Sequence, residues 1–335
     1  MTWFKQIFGF SEGTYAETQK RFRVESEKLH TDTQPPRSFH VGTLNTPSVG
    51  ELRTQVGALT PLSGTRLALR AISADAYALH SWPEANGALI QVASQFNLLE
   101  MPGPGVTPEH GITNYQHDHT QGPACAKACA PGTVFRNYLV SVEGQSGQTA
   151  TRQINTFKDL DHAIGIPGIQ MRNGYAMLDA ETVRAIGQHI QDLDEAGRDE
   201  LRQQLRIGLH CNTEVTAVDA PPLQRVTQAF CSALPVAYNR APRSDWAPFA
   251  SLVLEASYEA TLLAAVLNHR QTDNPKVYLT TVGGGAFGNE RSWILQALRR
   301  ALHHVRHHSL DVAVVCYGQV SQDLVELAAA INAGR

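Results

Sequence analysis

The chain has 335 residues, 42% of them hydrophobic and 18% charged, with a formal net charge of -3. That length allows one enlarged domain or two ordinary ones, and the charge supplies none of the basic field that nucleic-acid binding needs. No apolar run reaches the roughly 18 to 20 residues of a membrane span, and Met1 to Phe10 lack a signal-peptide core and cleavage site, so a cytoplasmic protein with neither nucleic-acid nor membrane partners is expected.

In chain order, residues 1–55 are mixed and polar, broken at Gln34-Pro-Pro-Arg37, and read as an N-terminal extension packed on a main body of residues 56–335. Arg66 to Ile72 is strand-like and Ala88 to Ala93 is a short apolar strand. A long loop rich in proline, glycine and acidic residues follows, from Asn97 to Gln121. Ala124 to Ala130 reads as a helix of small residues, and Phe135 to Val142 as another strand. Asp179 to Leu193 has helical spacing with Asp179 as N-cap. Val226 to Val236 reads as a buried strand, and Trp246 to Asn268 as a long helix with apolar residues at three and four spacing. A strand over Val277 to Val282, a helix from Arg291 to about His307 and a strand over Asp311 to Tyr317 complete the pattern. Strands alternating with helices, several of them continuous apolar runs, predict a three-layer α/β/α sandwich around a mixed or largely parallel sheet.

The strand Val277 to Val282 runs into Gly283-Gly284-Gly285-Ala286-Phe287-Gly288-Asn289 and then directly into a helical segment. A glycine turn at a helix start aims backbone N–H groups at one point, which suits a diphosphate. No Lys-Ser/Thr pair follows the glycines, so this is not a Walker loop, and the spacing is not that of a dinucleotide fingerprint. Thr120, Gln121 and Gly122 open another helix and are expected to add N–H donors. Metal signals are weak. Cys125 and Cys129 share a helical face without a second half-site, and His303, His304, His307 and His308 lack the acidic residue of a metalloprotease helix and stand among arginines, so no metal and no cofactor are expected. Five cysteines, an odd number, suit reduced thiols. No Gly-X-Ser-X-Gly nucleophile elbow occurs.

Three segments in order resemble a macrodomain, the ADP-ribose-binding α/β/α fold. Ala71-Ile-Ser-Ala-Asp75 resembles the family's strand ending in Gly-Asp-Ile, Ala88-Leu-Ile-Gln91-Val-Ala-Ser94 the strand ending Val-Asn-Ala-Ala-Asn, and Gly285-Ala-Phe287-Gly288 the Gly-Val-Phe-Gly loop. The resemblance implies that Asp75 binds adenine, that Gln91, Ser94 and Asn97 line the distal ribose, and that Gly283 to Asn289 hold the diphosphate. Gln91 and Ser94 replace the ribose-side asparagines of the family, and the extended loop with Glu100, Glu109 and Asp118 takes the place of its glycine run. That loop, with Arg172-Asn-Gly-Tyr175 and Arg206-Ile-Gly-Leu, resembles the MavL-like subfamily, which removes single ADP-ribose groups from arginine side chains. The resemblance thus implies ADP-ribose and mono-ADP-ribosylated proteins as partners.

Cleaving a glycosidic bond at a ribose anomeric carbon develops positive charge, which a carboxylate stabilises while another group assists departure. Carboxylates also hold a guanidinium by paired hydrogen bonds. Asp118 is expected to activate water or stabilise the transition state, with Glu109 and Glu100 binding the guanidinium or sharing the base role. A non-catalytic ADP-ribose reader, or a hydrolase of an ester or O-acetyl-ADP-ribose linkage, is the alternative.

Overall fold

The computed structural model describes residues 1–59 and 67–334. Seven strands form the central sheet: β1 (Thr43–Asn45), β2 (Ala68–Ser73), β3 (Leu89–Ala93), β4 (Gly208–Glu214), β5 (Arg225–Cys231), β6 (Lys276–Leu279) and β7 (Asp311–Cys316). Their spatial order is β1-β4-β5-β3-β6-β7-β2. The run from β5 to β2 is parallel, while β4 lies antiparallel to both β5 and β1. The sheet is therefore mixed. Arg66, read as the start of β2, lies outside the described residues.

Alternation along the strands separates two cores, as a period-two backbone requires. Leu89, Ala229, Val277, Leu279, Val312 and Val314 face a helical layer built on Arg243–Thr272, flanked by Val49–Gly57, Ala180–Asp192, Arg291–His304 and Gln322–Asn332. Ile90, Val92, Phe230, Tyr278 and Ala313 face the other way, onto Leu79, Cys125, Ala128 and Cys129. The free edge of β2 is closed by Asn332, whose amide pairs with both backbone groups of Leu69 at 2.9 and 2.8 Å.

A third core lies beside the sheet. Phe4, Phe8, Phe10, Phe22 and Leu29 pack with Leu99, Met101, Ile112, Tyr115 and Tyr138. The aromatic rings meet edge-on or tilted at centroid separations of 4.8 to 6.1 Å. A small antiparallel sheet, Phe22–Glu25, Lys28–Thr31 and Ser38–His40, frames this cluster.

Differences from the sequence expectations are local. Phe135 to Val142 is not one strand: Phe135–Leu139 is a π-helical turn and only Ser141–Val142 pairs. A short apolar run does not distinguish the two states. The strand expected to reach Val236 stops at Cys231, and a 3-10 turn covers Val236–Tyr238 after Pro235. The long helix begins earlier and ends later than its apolar spacing suggests, at Arg243 and Thr272. Asp179 does cap its helix, accepting the Thr182 N–H at 2.8 Å.

Candidate functional site

The carboxyl ends of β2, β3, β5, β6 and β7 open on one cleft of about 530 Å³, within the range of small-molecule sites. Each end contributes residues: Asp75 after β2, Ser94 and Gln95 after β3, Ala233 after β5, the Thr280 to Phe287 turn after β6, and Tyr317 and Gln319 after β7. Glu100, Asp118, Gln121, Gly122, Tyr175, Tyr238 and Arg291 also line it.

The glycine turn is shaped by close packing. Gly283 and Gly288 have φ of 76° and 68°, and a Cβ at Gly283 would stand 2.5 Å from the Ala233 Cβ and 2.7 Å from the Asn289 Nδ2. Within the turn, Asn289 N–H donates to Gly283 O and Gly288 N–H to Gly285 O. Val282 N–H donates to the Tyr258 hydroxyl, which itself donates to Thr280 O. Among the described residues, the N–H groups of Gly283, Gly285, Ala286 and Phe287 make no hydrogen bond. They form a patch of positive partial charge at the start of the Arg291–His304 helix. Beside it, Arg291 is held in the lining by Asp323, at 2.7 and 2.8 Å.

Opposite stands the helix Gln121–Ala128. The N–H groups of Gln121 and Gly122 are unpaired among the described residues, whereas Thr120 N–H and Oγ1 both donate to Asp118 Oδ1, at 2.9 and 2.7 Å. Thr120 thus orients Asp118 and is not a free donor. The Gln121 side chain bridges the end of β3, accepting from Ala93 N and donating to Gln91 O. Gly122 has no room for a side chain, since a Cβ would run into the Ala93 carbonyl and Oε2 of Glu100.

Glu100 is the most unusual group in the cleft. It is 2% exposed, its N–H donates to the Tyr115 hydroxyl at 3.0 Å, and its Oε1 has no partner among the described residues. Burial pushes the carboxyl up to about 8; the Arg136 charge opposes that rise and the Asp118 charge adds to it. Burial thus favours the neutral acid, because a desolvated carboxylate is costly. Three aromatic rings form the adjoining wall: Tyr175 lies 5.4 Å from Phe287 and 5.7 Å from Tyr238, and Tyr238 lies 5.9 Å from Phe287.

Asp75, Ser94, Glu100, Asp118, Thr120, Gln121, Gly122, Gly283, Gly285, Ala286 and Phe287 are brought together in the lining. Others named from the sequence are not. Gln91 is fully buried and points to the opposite face of β3 from Ile90 and Val92, donating to Thr261 Oγ1 at 3.0 Å and accepting from Thr280 N at 3.1 Å. Asn97 is fully buried and bonded to Gln153 and Leu99. Glu109 is exposed on a 3-10 turn and accepts from Ala150 N at 2.8 Å. Gly284, Gly288 and Asn289 support the turn from behind, the last donating to Leu234 O at 2.9 Å. Tyr238 and Arg291 were not anticipated as site residues. Arg291 had one signal, its place immediately after the turn. Tyr238 had none. Among the described residues no group of three or more histidine, cysteine or acidic side chains is placed to hold a metal.

No protein-family model and no curated protein matches the chain. Among solved structures, the chain is similar to a poly(ADP-ribose) glycohydrolase from Thermomonospora curvata, with 13% identity and a TM-score of 0.43 over 95% of this chain and 97% of that one. It is also similar to a poly(ADP-ribose) glycohydrolase from Deinococcus radiodurans in complex with ADP-ribose, with 11% identity and a TM-score of 0.42 over 87% and 94% of the two chains. A third similarity is to an alphavirus P23pro-zbd structure, with 11% identity and a TM-score of 0.33 over 81% of this chain and 24% of that one.

Proposed function

We propose that this chain is a macrodomain-like mono-ADP-ribosyl hydrolase that cleaves the N-glycosidic bond between ADP-ribose and an arginine side chain. The observation that carries the reading is Glu100, a carboxyl 2% exposed with Oε1 unpartnered among the described residues, in a cleft also lined by a turn of unpaired N–H groups; its burial favours the protonated form. One feature suits a leaving group that needs a proton, and the other a diphosphate. Asp75 takes the adenine end, following the motif resemblance, and the Gly283 to Phe287 backbone with Gln121 and Gly122 N–H takes the diphosphate. The distal ribose then lies against Ser94, Phe287 and Tyr175, between Glu100 and Asp118.

In the reaction the anomeric C–N bond breaks, and Glu100 gives its proton to the departing guanidine nitrogen. Asp118 stabilises the oxocarbenium-like charge and takes a proton from the attacking water, whose oxygen forms the new bond to carbon. Tyr238, which is exposed, offers an aromatic face to the planar guanidinium at the cleft mouth.

Purified protein incubated with arginine-, serine- and glutamate-linked mono-ADP-ribosyl peptides tests the reading. The arginine-linked peptide is expected to release ADP-ribose, and Glu100→Gln and Asp118→Ala each to slow release by about 100-fold or more while calorimetric ADP-ribose binding persists. Saturable binding with all three peptides intact would make the chain a reader. Preferential release from the glutamate ester would move the activity to another linkage, and absence of ADP-ribose binding would defeat the reading altogether.

A further inference from the structure

The segment Gln95 to Met101, which ends β3 and delivers Glu100, is held by an unusual density of buried bonds. Leu98 adopts a left-handed conformation, φ 63°, which is strained for a residue with a side chain and persists only where surroundings enforce it. The enforcing groups come from the segment itself and from elsewhere in the chain. Gln148 donates to Asn97 O at 3.0 Å, Gln95 Oε1 accepts from Met101 N at 2.9 Å, and Arg136 Nε donates to Leu98 O at 3.0 Å.

Arg136 is the least expected of these. It is completely buried on a π-helical turn, a local irregularity frequent at functional sites. Its remaining nitrogens donate to Thr133 Oγ1 and His210 Nδ1, each at 3.1 Å, and its guanidinium lies 3.8 Å from the Phe230 ring centroid. His210 donates from Nε2 to Val41 O at 2.8 Å, which fixes the tautomer and keeps Nδ1 an acceptor. Among the described residues no carboxylate lies within ion-pair distance of Arg136, so its buried charge acts outward. Burial lowers Arg136 to about 10, which still leaves it charged at neutral pH.

We propose that Arg136 is the positioning residue of Glu100: through the Leu98 carbonyl it enforces the backbone that presents the carboxyl to the cleft, and it supplies the positive charge that the carboxyl faces. Besides Arg136, the groups coupled electrostatically to Glu100 are Tyr115 and Asp118 from the acidic loop, Cys125 from the helix opposite and Tyr175 from the aromatic wall. None of these is cationic, so Arg136 is the one positive charge acting on the carboxyl, and it opposes the rise that burial causes; removing that charge drives the carboxyl upward. A residue serving only the packing of the core would not do this. The inference takes Glu100 as the acid of the proposed reaction and rests on that reading.

The test does not depend on turnover. In protein labelled at glutamate with ¹³C, the carboxylic-acid infrared stretch that disappears in Glu100→Gln is titrated with pH in the full chain without substrate. In Arg136→Met the midpoint is expected to rise by about one unit or more, as loss of a nearby opposite charge requires. Arg136→Lys serves as the second variant should the first not fold. An ammonium cannot reach Leu98, Thr133 and His210 together and loses its proton readily when buried, so the midpoint rises there also. The arginine-linked peptide then gives a lowered kcat with ADP-ribose affinity held. A midpoint within about 0.3 units of wild type in whichever variant folds overturns the proposal, whether or not the wild type hydrolyses anything; a shifted midpoint with no hydrolysis by wild type supports the positioning role and removes the reaction instead.

Discussion

A carboxyl with almost no solvent contact and one unbonded oxygen is expensive for a protein interior, and Glu100 meets that expense by keeping its proton. Its folded value of about 8 stands above the ordinary 4.5, so the folded chain binds a proton that the unfolded chain has released between those values. The corresponding stability is fully present below the unfolded value and is lost as pH rises toward 8. Urea midpoints followed from about pH 5 to pH 9 should therefore fall less steeply in Glu100→Gln than in wild type; parallel curves would mean that the carboxyl is ionised throughout. His80 and His210 act with the opposite sign. Burial holds them at about 4 and about 3, so their contribution is present above the ordinary histidine value and is lost as acid protonates them. At this scale the sequence carried residue types better than directions. Glu100 and Asp118 could be named from an acidic loop, but that Glu109 turns to Ala150 N and Gln91 to Thr261 depends on chain packing that one sequence does not display. The alternation of Ile90 and Val92 around Gln91 was nevertheless legible.

Among elements, positions within the glycine turn differ in how much room they leave. Gly283→Ala forces a side chain onto a left-handed residue against Ala233 and should cost about 1–3 kcal/mol in denaturant unfolding. Gly285→Ala meets open space and should change stability by less than about 0.5 kcal/mol. Weaker ADP-ribose binding in that stable variant would report on the turn itself, and unaltered binding would take Gly285 out of the site. The acidic loop is anchored by Glu12, whose carboxylate accepts from Ile112 N at 2.9 Å, Thr113 N at 2.8 Å and the Tyr138 hydroxyl at 2.5 Å. Glu12→Ala leaves those buried donors unpaired and is expected to cost about 1–3 kcal/mol, with faster amide exchange concentrated at residues 111–118. Exchange that quickened uniformly over the sheet would show that Glu12 does not act on the loop. The glycine turn was readable because strand, glycines and helix are contiguous; the Glu12 anchor was not, because its partners lie about a hundred positions away.

On the scale of the whole molecule, the helical layer is tied by an ion network centred on Glu259, which is 1% exposed in the middle of the long helix. It accepts from Arg53 and Arg300, both at 2.5 Å, and Asp199 joins the same two arginines. Removing one member of a buried pair leaves charge uncompensated, so Glu259→Ala should cost about 3–5 kcal/mol, whereas Arg53→Ala leaves Arg300 in place and should cost less. Equal losses in thermal or urea unfolding would contradict the central place of Glu259. The alternation of strands and helices made the mixed sheet legible in outline, since β3, β6 and β7 are continuous apolar runs. The antiparallel pair β1 and β4 escaped notice because their burial is patchy. The phenylalanine cluster has a consequence for the order of events during synthesis. Phe4, Phe8, Phe10 and Phe22 emerge from the ribosome well before the surfaces that cover them, Leu99 to Met101 and Ile112 to Tyr138; from Phe22 to Leu99 alone the chain must grow by 77 residues. At translation speeds of about 5–20 residues per second, a greasy ribbon stays uncovered for several seconds, offering chaperones a foothold just before the segment bearing Glu100 arrives to close over it.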